Sequence, residues 1–209
     1  MSALSSASPF VAIRPRAAQI GPNAVLQTLR AVREMRSAAM AEEVRVLANL
    51  PDPLPEGMIP EPWFVALLAS VRAWVPESEH VLGRAGLYTA AYVRENRIPS
   101  AIRRTLKVLP SRAALPLLLN AFRRNAWTFA GGGEFDIEDG YPHVLTLRGA
   151  PSCRPEASPP ATGGGAYYVG AFEELLHLAA PNARVTEIAC SARGAPRCRF
   201  EISLSGPRT

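Results

Sequence analysis

Arg184-Val-Thr-Glu-Ile-Ala-Cys190-Ser-Ala-Arg-Gly194-Ala-Pro196-Arg-Cys198-Arg-Phe-Glu-Ile202 sets two cysteines on either side of a tight loop holding Gly194 and Pro196. Downstream, Cys198, Phe200, Ile202 and Leu204 alternate with Arg199, Glu201 and Ser203, the period of a strand with one buried face. Ile188 and Cys190 give a weaker matching run, so the stretch reads as a hairpin. Its connection of seven residues brings the two thiols together. Converging thiols suit a soft metal, a disulfide or simply a buried apolar face.

Upstream of this hairpin, Tyr168, Phe172, Leu175 and Ala179 fall at helical spacing, preceded by a loop over 149–165 that is rich in Pro and Gly and carries Cys153. Before that loop the pattern alternates: Trp127 and Phe129, then Gly131 to Gly133, then Phe135 and Ile137, and after Gly140-Tyr-Pro142 the run His143 to Leu147. This predicts a second hairpin. The N-terminal half is helical in period. Val25, Leu29 and Val32 share a face, and Met40, Val44 and Leu47 continue to a stop at Pro51. Pro62 opens a helix whose stripe is Phe64, Leu67, Leu68, Val71 and Val75.

A long helix follows from Pro76 to about Asn96, with Val81, Ala85, Tyr88 and Tyr92 on one face. Gly83, Gly86 and Ala90 thin the neighbouring face, and glycine costs a helix interior about 1 kcal/mol against alanine. Something therefore packs closely there, a neighbouring helix before a flat ligand. Two shorter helices run through Leu106 and through Leu115 to Phe122. The order helices, two strands, helix, two strands predicts an α+β domain, with N-terminal helices packed on a mainly antiparallel sheet. Residues 1–18 lack periodicity and read as a flexible tail, leaving a single ligand-binding domain over 19–205.

Composition narrows the function. The chain has 209 residues, 48% hydrophobic and 20% charged, and a net charge of +5. All but one of its 23 basic residues are arginines spread along the chain, which does not make the basic stripe with interleaved aromatics of a nucleic-acid binder. One cluster, Arg94, Arg97, Arg103, Arg104 and Lys107, reads as a solvated face, with a carboxylate-binding or partner-binding patch as the alternative. No apolar run is long enough to span a bilayer and no secretory signal is present, so a cytoplasmic protein without a transmembrane segment is expected. In a reducing compartment three cysteines stay thiols or bind metal.

Neither glycine triplet follows a strand and opens a helix, as a nicotinamide fold requires, and no lysine follows a glycine loop as in a phosphate-binding loop. His80, His143 and His177 form no catalytic set; His177 stands four residues after Glu173, suited to a surface ion pair. Cys153, Cys190 and Cys198 remain as a metal set needing a fourth ligand, with Glu134, Asp136 and His143 as candidates in the first hairpin.

Several phrases, taken together, resemble one family: Arg16 to Ala24, Gly86 to Pro99, Arg124 to Gly131, Gly149 to Arg154, Tyr167 to Glu173 and the cysteine hairpin. From about Ile13 to Leu204 the chain is similar to the 4-vinyl reductase domain proteins of bacteriochlorophyll biosynthesis, the divinyl chlorophyllide 8-vinyl reductase-like group. The resemblance implies an α+β fold of the NO-signalling and Golgi-transport ligand-binding type, shared with sensory domains of aromatic-responsive transcription activators. It also implies a structural zinc on Cys153, Cys190 and Cys198 with an acidic residue ahead of the hairpin cysteines, for which Glu134 is the best match.

The family name asserts reduction of a vinyl group, which needs a hydride or electron source for which the residues offer no site. The expectation is therefore a non-catalytic carrier with no catalytic residues, binding a magnesium porphyrin intermediate and presenting it to pathway enzymes. A vinyl reductase using an external reductant is the alternative, and a ligand-sensing module the second. Tyr88, Tyr92, Trp127, Phe129, Tyr168 and Phe172 are expected around an apolar cleft, with Arg97 meeting the macrocycle's carboxylates. The expected partners are the tetrapyrrole, bacteriochlorophyll-pathway enzymes and a second copy in a homodimer.

Overall fold

The computed structural model describes residues 18–138, 140–158 and 164–204. Residues 1–17 of the expected tail, and Ser205 at the expected domain end, lie outside them. Four N-terminal helices come first. Helix α1 (Asn23–Met35) buries Val25 and Val32 of its expected face, leaves Leu29 half-buried and buries Ala31 as well. Helix α2 (Ala38–Leu47) starts where the Ser37 side chain accepts the Met40 N–H, a cap that satisfies one free donor of the first turn. Before α1 and before α3 lie β1 (Gln19–Ile20) and β2 (Ile59–Pro60), an antiparallel pair too short to announce itself by alternation.

Helix α3 (Glu61–Trp74) has Pro62 in its first turn and buries Phe64, Leu67, Leu68 and Val71. Helix α4 (Ser78–Asn96) follows Glu77, which takes a left-handed conformation at φ +50°. It packs on α1 on one side and on α8 (Ala166–Leu176) on the other. Gly86 and Gly170 make the second packing possible. A Cβ at Gly86 would lie 1.9 Å from the Tyr167 carbonyl oxygen, and one at Gly170 would lie 2.0 Å from that of Gly83. The close partner expected from the glycines is thus a helix.

Helices α5 (Ser100–Val108) and α6 (Ser111–Asn125) each start after a proline. The sequence puts Trp127 and Phe129 in a strand, but residues Trp127–Ala130 form one further helical turn, α7. Two alternating aromatics are too short a signal to outweigh continuation from α6. The Ala130 N–H bonds back to the Ala126 carbonyl at 2.8 Å, and Gly131 then breaks the helix at φ +59°.

Strands β3 (Glu134–Glu138), β4 (Val144–Arg148), β5 (Ala183–Ala189) and β6 (Cys198–Leu204) form one antiparallel sheet in the order β3-β4-β6-β5. Both hairpins pair as expected, and the β4–β6 ladder, with Leu147 opposite Cys198 and Leu145 opposite Phe200, joins them. The last helix ends at Leu176, short of Ala179. It lies on the sheet through Tyr168 and Phe172, whose rings are 5.8 Å apart and meet Phe129, Phe135 and Phe200 edge-on or tilted. Edge-to-face pairs of this kind add about 0.5–1.5 kcal/mol each beyond burial. Among the described residues no helix is long and apolar enough to cross a membrane.

Candidate metal centre and ligand groove

Three chain segments converge on one point. Cys190 directly follows β5, Cys198 opens β6, and Cys153 sits in a short 3-10 turn, Pro151–Cys153, after β4. The fourth group is Glu187, which lies in regular register opposite Phe200 on the β5 face that buries Ala183 and Val185; the irregularity of the strand comes after it, between Glu187 and Ala189, just ahead of Cys190. The ligand atoms of Cys153, Glu187, Cys190 and Cys198 all lie within 4.8 Å of one another. The Cys190 and Cys198 sulfurs are 3.9 Å apart and all three cysteines are free thiols. A tetrahedral ion with Zn–S bonds of about 2.3 Å sets its sulfurs about 3.8 Å apart, so the observed spacing matches a thiolate–metal centre and is far from the about 2.05 Å of a disulfide.

Glu134 does not take part. It is exposed on β3, with Arg148 as its nearest cation at 3.7 Å. The acidic member of the cluster is Glu187, three residues before Cys190; the expected run of Ile188 and Cys190 makes it an outward position, whereas the strand buries Ala183 and Val185 on its face and leaves Ile188 44% exposed. Asp136 and His143 also stay apart: Asp136 faces Arg123 and His143 meets Tyr141 edge-on.

The surroundings of the four groups support metal binding. One Glu187 oxygen, Oε1, is buried with no hydrogen-bond partner, while Arg193 donates to the other at 3.1 Å. Buried carboxylate oxygens are seldom left unpartnered, and a bound cation satisfies one. Gly165 leaves the space this carboxylate occupies, since a Cβ there would lie 2.1 Å from Oε1. The Gly164 N–H donates to the Cys190 sulfur at 3.2 Å and the Ser191 N–H to the Cys198 sulfur at 3.3 Å. Such donors stabilise thiolates and orient them as ligands.

Protons are shared unevenly among these groups. Hydrogen bonds from Cys153 and Cys198 hold the Cys190 thiol far below its ordinary value. Those same contacts with Cys190 and Cys198, with burial, push Cys153 well up. Cys198, drawn down by Cys153 and up by Cys190 and burial, ends at about 11. Burial raises Glu187 to about 7. Cys190 is thus the thiol most readily ionised in the metal-free cluster, and a divalent ion displaces protons from the groups that still hold them.

The loop bearing Cys153 is clamped from the helical side. The Arg72 side chain is fully buried; it donates to the Ala157 carbonyl at 2.5 Å, to Ser152 Oγ at 3.2 Å and to Glu79 at 2.7 Å. Ser152 Oγ in turn donates to the Gly164 carbonyl at 2.6 Å, joining both arms of the loop. A second buried charge, Glu61, accepts the Gly132 N–H at 2.5 Å and pairs with Arg154. The glycines after α7 therefore receive a carboxylate. Neither role follows from periodicity, which marks Arg72 and Glu61 only as interruptions of an apolar stripe.

Beside the metal centre an open groove of about 540 Å³ runs between α4 and α8. It is lined by His80, Gly83, Arg84 and Leu87 of α4, by Ala166, Val169 and Gly170 of α8, and by Glu187. The aromatic residues expected around a cleft divide. Phe129, Tyr168 and Phe172 come together in the core, Tyr168 donating to the Phe129 carbonyl at 3.1 Å. Tyr88 instead turns toward α1, donating to Glu34 at 2.6 Å under the Arg30 guanidinium. Tyr92 is half-buried on α4, Arg97 is exposed beyond its end, and the Trp127 side chain lies outside the described residues. His177 does not pair with Glu173; its Nε2 lies 3.1 Å from the Ala183 carbonyl and Arg184 approaches Glu173.

No protein-family model matches the chain. It is 35% identical over 191 residues to the bacteriochlorophyll synthase 23 kDa chain of Cereibacter sphaeroides, covering 90% of this chain and 92% of that one. It is 32% identical over 194 residues to the bacteriochlorophyll synthase 23 kDa chain of Rhodobacter capsulatus, covering 91% and 90%. Among solved structures it shares its fold with the Fe(II) unliganded H-NOX protein from K. algicida, at TM-score 0.59 and 10% identity, over 89% of this chain and 97% of that one. An H-NOX protein from S. oneidensis in the Fe(II) state matches at TM-score 0.50 and 13% identity, over 90% and 97%.

Proposed function

The chain belongs to the family of the bacteriochlorophyll synthase 23 kDa chains and takes part in bacteriochlorophyll biosynthesis, and on that premise we propose that it binds a tetrapyrrole intermediate and presents it to the enzymes of the pathway. The observation that carries this reading is the α4–α8 groove. A flat macrocycle needs a surface clear of side chains, which Gly83 supplies on α4. His80 offers an imidazole nitrogen to a central magnesium, and Arg84 a guanidinium to a ring carboxylate. Phe129, Tyr168 and Phe172 pack between α8 and the sheet and hold that helix in place.

Cys153, Glu187, Cys190 and Cys198 hold a zinc ion in this reading. Its role is structural: four protein ligands complete a tetrahedron and leave no open position for chemistry. It ties the 152–157 loop to the β5–β6 hairpin beside the groove.

Absorbance titration of the purified protein with magnesium protoporphyrin tests the proposal. The expected result is a stoichiometric complex with a shifted band, weakened by Arg84→Ala about tenfold or more through loss of a charge-assisted hydrogen bond. A complex that forms equally well after His80→Ala and Arg84→Ala would overturn the groove assignment. Monovinyl product formed from a divinyl substrate and NADPH by the isolated chain would overturn the carrier reading in favour of a vinyl reductase.

A further inference from the structure

Residues 97–133 hold seven cations and no carboxylate, in a chain whose whole net charge is +5. Helix α5 lies within this segment, and of its nine residues only Leu106 is buried. Ile98 and Leu109, just outside its ends, are partly buried against the core. A helix this short is marginal on its own and depends on burying an apolar face, yet α5 leaves Ile102 51% and Val108 80% exposed. At about 100° per residue, Val108, Ala101, Thr105 and Ile102 share one arc of about 120°, with Arg104 and Lys107 on the arc beside it. Leu117 on α6 is also 55% exposed. Arg94, the one cation of the sequence cluster that is paired off, binds Glu174; Arg97, Arg104, Lys107 and Arg112 are exposed and meet no carboxylate among the described residues.

We propose that α5 and the start of α6 dock on an anionic bilayer surface, with Ile102 and Val108 entering the headgroup boundary and Arg97, Arg104, Lys107 and Arg112 meeting lipid phosphates. Exposed aliphatic side chains flanked by unpaired cations are the pattern of an interfacial helix. The charge complementarity selects the occupant. Nucleic acid is disfavoured because no aromatic residue lies between Arg97 and Ala121 to stack on a base. The inference does not depend on the groove or on the metal centre, which lie on α4, α8 and the cysteine hairpin.

The test is co-sedimentation of the full chain with vesicles of phosphatidylcholine alone and of phosphatidylcholine with phosphatidylglycerol, at low and high salt. Binding is expected only with the anionic lipid, and salt should weaken it. Each cation removed should weaken it about fivefold, so Arg104→Gln with Lys107→Gln should cost about 25-fold. Ile102→Ser with Val108→Ser should weaken binding without changing its salt dependence. All four side chains are exposed, and circular dichroism with metal content checks that the variants stay folded. Equal binding to both vesicles would overturn the proposal, as would binding that survives both pairs of substitutions. Failure to bind either vesicle, with retention of an acidic protein through the same residues, would also overturn it.

Discussion

Two glycines one turn apart on α4 should respond to alanine with opposite signs. At Gly86 the added methyl carbon would lie 1.9 Å from the Tyr167 carbonyl oxygen and 3.0 Å from the Ala171 nitrogen, both backbone atoms of a helix that cannot swing aside. Overpacking costs about 1–3 kcal/mol, and a clash with rigid backbone belongs at the upper end. The gain in helix propensity returns about 1 kcal/mol, so Gly86→Ala should lose about 2 kcal/mol net. For a domain of this size that lowers Tm by about 4–8 °C. At Gly83 the nearest atom would be the Ala166 carbonyl oxygen at 3.7 Å, an ordinary contact. Gly83→Ala should therefore raise Tm by about 2–4 °C. Since Gly83 lines the groove, the same methyl group should weaken magnesium protoporphyrin binding while it stabilises the fold. Differential scanning calorimetry beside pigment titration reads both effects. A Gly86→Ala protein as stable as the parent would refute the close α4–α8 crossing, and a Gly83→Ala protein with full pigment affinity would remove the groove from the ligand site.

Metal analysis of the purified protein should give about one zinc per chain, and Cys198→Ser should lose both the zinc and thermal stability, whereas Glu134→Gln should keep both. Arg72→Met leaves Glu79 without its partner and frees the Ala157 carbonyl; a loss of about 3 kcal/mol in urea unfolding is expected, against no change if the clamp is idle. In the metal-free protein, burial raises Glu187 from 4.5 to about 7, so the folded state favours its neutral form. Stability from this group is present below pH 4.5 and lost as pH rises through 7. Zinc binding, which displaces protons, should strengthen over the same range, and Glu187→Gln should flatten the stability slope of the metal-free protein.

The period of the chain carried the helices and both hairpins, because a one-sided core imposes its spacing on every long element. What stayed hidden depends on contacts between distant segments. Glu187 and Glu134 both look like outward strand residues when Ile188 and Cys190 are taken as the buried parity, but β5 buries Ala183 and Val185, which share the face of Glu187, and the register shifts only between Glu187 and Ala189. Arg72 sits within the apolar stripe of α3, where its spacing says nothing of the loop 80 or more residues away that it bonds. The aromatic residues misled in another way. Phe129, Tyr168 and Phe172 share apolar character with Tyr88, but the first three fill the core while Tyr88 meets Glu34 and Arg30 on the α1 side of α4.

Glu187 belongs to both candidate sites, which constrains how they act together. It lines the groove and also lies within reach of the three thiols. An ion that takes up its buried oxygen fixes this carboxylate toward the cluster; without the ion, Arg193 alone holds it through the other oxygen. Metal loss would then free a carboxylate in the groove's lining and loosen the Gly164–Gly165 segment that leads into α8. Above pH 7, where the metal-free Glu187 ionises, a dianionic porphyrin entering past His80 and Arg84 would meet that extra charge. Zinc removal by a chelator should therefore weaken pigment binding even where the fold survives, and Glu187→Gln should restore part of the loss by removing the charge. Pigment affinity indifferent to zinc, in protein still folded, would separate the two sites and leave the metal a purely structural clamp.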